Sequence, residues 1–261
     1  DGYIYTLHFE KGKNVGGLKK EPYSGRDTGT KTRWKPDLEV FTDINISVDY
    51  YLDILKRQAV VNDGIVFVLK NQVGSKFETY EFCYQNGILD YTKELVEEKA
   101  LTPIQFWQTE RVGRDRADKP DYKVKIKAAV AFSNQVHLKE YYHNSSWLEY
   151  GGAPEKAVRQ AFVAQIDNYL KQNNKYQKNE SKIGFSDVEE SLIVVISSFS
   201  TQTSYENQTK KAINNKFIYE AMVDFFRHQL EIYFIENRAD AEKIAEQVLI
   251  NKRSRERSER E

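Results

Sequence analysis

The strongest constraint on the fold is the apolar run LIVVISSF at Leu192–Phe199. Its length and its many β-branched residues predict a buried strand. A polar loop, Ser204–Lys210, follows it, and apolar residues then recur at helical spacing over Lys211–Glu236. The sequence therefore predicts a core strand, a polar loop and a long amphipathic helix, in that order.

The polar loop carries the Gln208 amide, next to Asn207, and ends on Lys210, and a second lysine, Lys211, follows directly. A lysine ammonium is a compact charge with three N–H donors, and a glutamine amide can donate beside it. These groups suit contact with an anion. An ordinary solvated turn between a strand and a helix would have the same composition, so the spacing alone leaves both interpretations open.

The composition excludes several function classes. Lys plus Arg and Asp plus Glu each number 39, so no overall basic field indicates a nucleic acid or a membrane surface. The apolar runs are too short to cross a membrane, and no signal peptide is recognisable. The single cysteine, Cys83, excludes an internal disulfide and fits a reducing compartment such as the cytoplasm. It lies in an alternating aromatic segment, which predicts a small core residue.

Hydrophobic periodicity divides the chain into two parts near residues 86–87. The first part begins on Asp1 without a methionine, already in strand-like alternation, so we expect the chain to be a fragment. Its predicted strands are 3–9, 29–34, 65–69 and 77–84, and its predicted helices are 48–61 and 88–98, the second of which opens the next part.

In the second part we predict a strand at 104–112 and a half-buried strand at 122–132 with 136–142 as its hairpin partner. Helices are predicted at 153–172 and from Lys211 to Glu236, and helical periodicity resumes at Ala241. The last residues, 251–261, are charged and lack apolar side chains, which predicts a solvated helical extension.

No complete active site is evident from the residue types. The four histidines are scattered, and no Cys or His spacing is typical of a metal site. A phosphate-binding glycine loop and a Ser/His/Asp arrangement with supporting motifs are also not recognisable.

Several stretches together resemble a known family. Tyr205–Lys210, after a strand and before a helix, is similar to the Q-T-K loop of the ATPase subunits of bacterial type IIA DNA topoisomerases, the gyrase B and topoisomerase IV B family. Four further stretches resemble other segments of that family in the same order: Thr28–Phe41, Tyr51–Val66, the paired glycines Gly151-Gly152 with Arg159, and Glu236–Ile244 with its Arg/Glu tail.

The resemblance implies an α+β fold. Residues 1–85 would form the C-terminal half of a GHKL-type ATP-binding domain. Residues 86–261 would form a transducer domain, similar to ribosomal S5 domain 2 and ending in a long exit helix.

The resemblance also implies roles for individual residues. Gln208 and Lys210 match two transducer residues that contact the γ-phosphate of ATP, and Lys210 would also stabilise charge on the transferred phosphoryl group. Thr30 matches a threonine near the adenine end of the nucleotide. Arg159 matches an arginine lining the cavity through which DNA passes.

The implied cofactors are ATP and Mg²⁺, and the residues that bind Mg²⁺ are expected upstream of Asp1. The implied partners are DNA, a second copy of the same protein that dimerises when ATP binds, and the DNA-cleaving A-type subunit. The implied location is the cytoplasm, without a membrane. The chain alone is expected to lack ATPase activity.

Two departures from the family pattern stand out. Ala153-Pro154 replaces the usual Thr-His after the paired glycines, and His143–Tyr150 replaces a more usual asparagine- and threonine-containing run. Two other interpretations stay open: a mismatch-repair or chaperone GHKL ATPase, and a non-enzymatic S5-like module that binds nucleic acid through basic loops.

Overall fold

The computed structural model describes residues 1–205 and 210–261. They form two compact units, Asp1–Tyr50 and Tyr51–Glu261.

The first unit consists of short antiparallel strand pairs and irregular loops. Strand β1 (Tyr3–Thr6) pairs with a later strand, and β2 (Phe9–Glu10) pairs with β3 (Lys13–Asn14) across a tight turn. The partner of β1 is β4 (Lys19–Pro22). The predicted strand at 29–34 is wrong, because a strand needs a neighbour for its backbone hydrogen bonds and no described strand lies beside this segment.

Helix α1 (Val48–Val61) leads into the second unit and is followed by a hairpin of β5 (Phe67–Val73) and β6 (Lys76–Phe82). Helix α2 (Ile88–Val96) comes next. These elements were predicted and are confirmed, with shifted ends. Cys83, however, is exposed rather than in the core. The half-buried side of β6 carries Phe82, so the next residue faces the other way.

A five-stranded mixed sheet forms the centre of the second unit. Its strands are β7 (Gln105–Gly113), β8 (Tyr122–Phe132), β9 (Leu138–His143), β10 (Ser146–Trp147) and, after the short β11 (Gly151–Gly152) that lies outside the sheet, β12 (Leu192–Ser200). They lie side by side in the order β10–β9–β12–β8–β7.

The position of β9 differs from the prediction. Strand β12 pairs antiparallel with β8, with Ile196 opposite Ala128, and parallel with β9, with Ser198 opposite His143. β12 therefore lies between β8 and β9, and the predicted β8–β9 hairpin is wrong. Residues 133–137 connect β8 to β9 across the position of β12.

Helices cover both faces of the sheet. They are α3 (Ala153–Gln172), α4 (Phe185–Glu189), α5 (Lys216–Glu236) and α6 (Arg238–Ser258), in addition to α1 and α2. Val124 and Ile126 of β8 share a core with α3, α5 and α6, whereas Ala129 and Val195 pack on the opposite face with α1 and α2. β12 is consequently buried from Leu192 to Ser198, and β8 is fully buried at 128–132 rather than half-buried throughout.

The charged C-terminal segment is only partly solvated, contrary to the prediction. Asn251 and Lys252 are buried, and the Asn251 amide donates to the Ser191 hydroxyl at 2.7 Å. Arg253 and Arg255 form ion pairs with Glu180 and Asp187, at 2.9 Å each. This half of α6 therefore packs on residues 180–191, and the charges neutralise partners distant in sequence.

Candidate functional site

Residues 201–203 connect the end of β12 to the polar loop, and β13 (Ala212–Ile213) follows the loop, outside the five-stranded sheet. Tyr205 forms an isolated antiparallel bridge with Ile213, which closes the base of the loop. Gln208 lies outside the described residues, so its predicted phosphate contact stays a prediction.

Lys210 and Lys211 differ in their surroundings. Lys210 is exposed, has φ +57°, and its Nζ lies 5.8 Å from the centroid of the Tyr205 ring. The Lys211 ammonium lies 2.7 Å from the Glu149 carboxylate, and this hydrogen bond raises the pKa of Lys211. No carboxylate of residues 1–205 and 210–261 forms an ion pair with Lys210.

The returning end of the loop pairs with the paired glycines. β11 runs parallel to β13, with Gly152 opposite Ile213. Gly152 has φ +81°, and a Cβ atom there would lie 2.1 Å from the Ile213 carbonyl oxygen, so only glycine fits. The predicted helical start at Lys211 is wrong for this reason: residues 212–213 are held in the extended pairing, and α5 begins at Lys216.

A buried amide, Asn215, joins this end of the loop to the sheet. Its side-chain oxygen accepts from the Ser204 backbone N–H at 2.7 Å, and its Nδ2 donates to Asp115 at 3.1 Å and to the Tyr122 hydroxyl at 3.2 Å. The side chain thus uses both of its polar atoms in an almost fully buried position. Sequence reasoning missed this residue, because an asparagine in a polar loop is common in any turn.

A buried histidine, His143, lies at the start of the loop. Its ring nitrogens hydrogen-bond with the hydroxyls of Ser198 at 2.7 Å and of Ser200 at 3.1 Å. Burial lowers the pKa of His143 to about 4, so the ring is neutral at pH 7. The scattered histidines in the sequence did not indicate this role, which depends on the parallel pairing of β9 with β12.

The other predicted site residues lie elsewhere. Arg159 is on α3, where its guanidinium lies 3.4 Å from Glu155 and 4.5 Å from the centroid of the Phe185 ring. None of its described contacts involves Lys210. Thr30 is exposed in an irregular segment of the first unit. The roles predicted for Lys210, Thr30 and Arg159 are therefore still predictions.

Residues 1–205 and 210–261 contain no group of three or more His, Cys, Asp or Glu side chains arranged to hold a metal ion. No helix in the same ranges combines the length and apolarity that a membrane crossing requires.

Comparison with protein families decides the classification, because the DNA gyrase B family model matches residues 87–261. The chain belongs to the DNA gyrase B family. This assignment decides against the mismatch-repair and chaperone relatives.

Relatives at the level of sequence include the DNA gyrase B protein of Metamycoplasma hominis, 28% identical over 95% of this chain and 39% of that protein. The DNA gyrase B protein of Streptococcus pyogenes serotype M1 is 27% identical over 98% of this chain and 38% of that protein. The chain thus spans about two fifths of the length of the family members that it matches.

Solved structures of the same fold include the 43K ATPase domain of Thermus thermophilus gyrase B in complex with an aminocoumarin. It superposes with a TM-score of 0.73 at 19% identity, over 100% of this chain and 68% of that one. The topoisomerase IV ATP-binding domain of Francisella tularensis, in complex with a small-molecule inhibitor, gives a TM-score of 0.70 at 21% identity, over 98% and 67%. The predicted α+β fold class is confirmed.

Proposed function

We propose that this chain is part of the ATP-hydrolysing subunit of a bacterial, cytoplasmic type IIA DNA topoisomerase, and that Lys210 contacts the γ-phosphate of ATP. The observation that carries the proposal is the exposed ammonium of Lys210, paired with no described carboxylate, in a loop between a core strand and a core helix. Family membership supports it, since the matched region contains this loop.

The assignment of the chain to two domains follows the same reasoning. Residues 1–85 are assigned to the ATP-binding GHKL domain and residues 86–261 to the transducer. The match of the family model from residue 87 and the central sheet from Gln105 support this division.

The donors of the loop fit a nucleotide phosphate. A bound ATP supplies a terminal phosphate that is lost on hydrolysis. Lys210 provides three N–H donors and Gln208 an amide donor, and a charge-assisted hydrogen bond contributes about 1.5–3 kcal/mol. Because Lys211 is already paired with Glu149, it is not assigned a phosphate contact. Thr30 is assigned to the adenine end.

Contacts that exist only with the triphosphate can bias the orientation of one domain relative to another. In the proposed cycle, Lys210 and Gln208 favour a transducer orientation that closes a dimer of two such subunits around a DNA duplex, which Arg159 contacts. The A-type subunit cleaves the DNA through which this duplex passes. The Mg²⁺ ligands are assigned to parts of the full-length protein outside this chain.

The test is DNA-stimulated ATP hydrolysis by the full-length protein with its A-type partner, comparing Lys210→Ala with Lys211→Ala. Lys211 is the matched control, since it is the neighbouring lysine and has its own acidic partner. We expect Lys210→Ala to lower turnover about tenfold or more, and Lys211→Ala to leave it within about twofold. Equal turnover of Lys210→Ala and wild type would refute the phosphate contact. This chain alone is expected not to hydrolyse ATP.

A further inference from the structure

The turn between β9 and β10 holds residues 200–203, which lead from β12 into the polar loop (below, the start of the loop), through one side chain, Asn144. The Asn144 side-chain oxygen accepts from the Ser200 backbone N–H at 2.9 Å, and its Nδ2 donates to the Ser200 carbonyl oxygen at 3.0 Å. The same Nδ2 lies 3.1 Å from the Thr203 hydroxyl. Backbone pairing of β9 with β12 ends at His143, so the Asn144 amide continues it with side-chain atoms.

The backbone of Asn144 is arranged for this contact. Its N–H donates to the Ser198 carbonyl oxygen at 2.9 Å, and its φ of +47° turns the side chain back toward the end of β12. Asparagine adopts this left-handed conformation more readily than most residues. His143, the last residue of β9, hydrogen-bonds with Ser198 and Ser200, so it contacts the same stretch as Asn144.

The other side of the same turn is joined to α1. The Ser145 carbonyl oxygen accepts from the Gln58 amide at 3.0 Å. The Arg57 guanidinium lies 3.7 Å from the centroid of the Trp147 ring and donates to the Tyr142 hydroxyl at 3.1 Å. The turn therefore connects the start of the loop with a helix of the part assigned above to the ATP-binding domain.

We propose that Asn144 is a positioning residue that fixes the start of the loop relative to α1 and so places Lys210 for contact with a nucleotide triphosphate. This proposal rests on the proposed γ-phosphate contact of Lys210. It also gives a function to part of the segment His143–Tyr150, in which the sequence departs from the usual family pattern.

The informative variant is Asn144→Gly, because glycine keeps the positive φ while removing every side-chain contact. Asn174→Gly is the matched control: Asn174 also has positive φ, +52°, and is exposed at the end of α3. Asn144→Asp is a milder variant of nearly the same size, which keeps the acceptor for the Ser200 N–H and loses the two Nδ2 contacts.

The first measurement is amide hydrogen exchange of this chain over residues 199–205. Asn144→Gly should exchange about tenfold faster there than wild type, with Asn144→Asp between them and Asn174→Gly unchanged. Unfolding of Asn144→Gly would raise exchange throughout β8 and β12, which separates a failure to fold from a released loop. Unchanged exchange at 199–205 in Asn144→Gly would overturn the proposal.

The second measurement is the ratio of affinities of the full-length protein for a non-hydrolysable imido analogue of ATP and for ADP. A loss of triphosphate preference of about tenfold in Asn144→Gly, with ADP affinity unchanged, supports a positioning role. Loss of the preference in Lys210→Ala but not in Asn144→Gly overturns the positioning role and leaves the phosphate contact standing. Retention of the preference in Lys210→Ala overturns the proposed function, and the positioning role with it.

Discussion

The ammonium of Lys252 lies 3.3 Å from a carboxylate oxygen of Glu180, and the two side chains are 0% and 8% exposed. Arg253 pairs with the same carboxylate at 2.9 Å, and its hydrogen bond is the main cause that lowers the pKa of Glu180 to about 2. Ion pairs of Lys252 and Arg253 with Glu180 thus join helix α6 to the segment before α4. The charged composition of residues 251–261 did not indicate this buried cluster.

Removal of the Glu180 charge should destabilise the second unit. In Glu180→Gln, Lys252 would remain buried with only Glu256 as a partner among the described residues, so we expect a loss of about 3 kcal/mol in the free energy of unfolding. Urea denaturation of this chain measures the change. Glu246→Gln, an exposed change on the same helix, should cost less than about 0.5 kcal/mol. Equal midpoints for the two variants would show that the cluster contributes nothing.

His143 should make stability depend on pH between about 4 and 6.5. Its pKa is lowered from 6.5 to about 4 by burial. Below pH 6.5 the unfolded chain binds the proton more readily than the folded chain. The contribution of the neutral ring to the free energy of unfolding is therefore fully present above pH 6.5 and is lost as the pH falls toward 4. The full difference is about 3 kcal/mol.

Urea denaturation at a series of pH values tests this expectation. His143→Gln should show a shallower decline between pH 6.5 and 4 than wild type, whatever its stability at pH 7. His228→Gln, which changes an exposed histidine on α5, should keep the wild-type slope. A wild-type slope in His143→Gln would contradict the assignment. The described ring contacts of His143 are with the hydroxyls of Ser198, Ser200 and Thr203, so no charged partner among them would offset the cost of protonation.

Arg57 and Trp147 should be energetically coupled. The guanidinium stacks on the indole at 3.7 Å, and the Arg57 side chain is only 24% exposed. A double-mutant cycle with Arg57→Ala and Trp147→Ala should give a coupling energy of about 1 kcal/mol in unfolding experiments. A cycle of Arg57→Ala with Trp107→Ala, on the other edge of the sheet, should give about zero. Equal values for the two cycles would mean that the stack adds nothing specific.

The sequence predicted those features that depend on local pattern. The sequence shows the apolar runs of β8 and β12 and the helical spacing in α3, because burial of an element produces a regular pattern of apolar residues along it. Lys210 was singled out as a charged residue after a core strand and through the family resemblance, and its role is still a prediction.

Features that depend on distant pairing were missed. β9 follows β8 closely in sequence, which favours a hairpin, yet β12, about fifty residues later, lies between them. The contacts of Asn144 and Asn215 were missed for the same reason. The strand order determines which residues these side chains contact, and the sequence of a turn does not show which distant residue its polar side chain will meet. Glu180 and Lys252 likewise meet only in the folded chain.

Gly152→Ala should release the returning end of the loop. Gly152 has φ +81°, a conformation that a residue with a Cβ adopts only under strain, and the new carbon would lie 2.1 Å from the Ile213 carbonyl oxygen. The Ile213 atom belongs to the backbone, so β13 itself must move away from β11. We expect the free energy of unfolding to fall by about 3 kcal/mol and hydrogen exchange to rise at residues 211–214.

The control is Gly29→Ala, which has open space around the new Cβ and should change the free energy of unfolding by less than about 1 kcal/mol. If Gly152→Ala were as stable as Gly29→Ala, with unchanged exchange at 211–214, the pairing of β11 with β13 would not be what holds the loop next to Lys210.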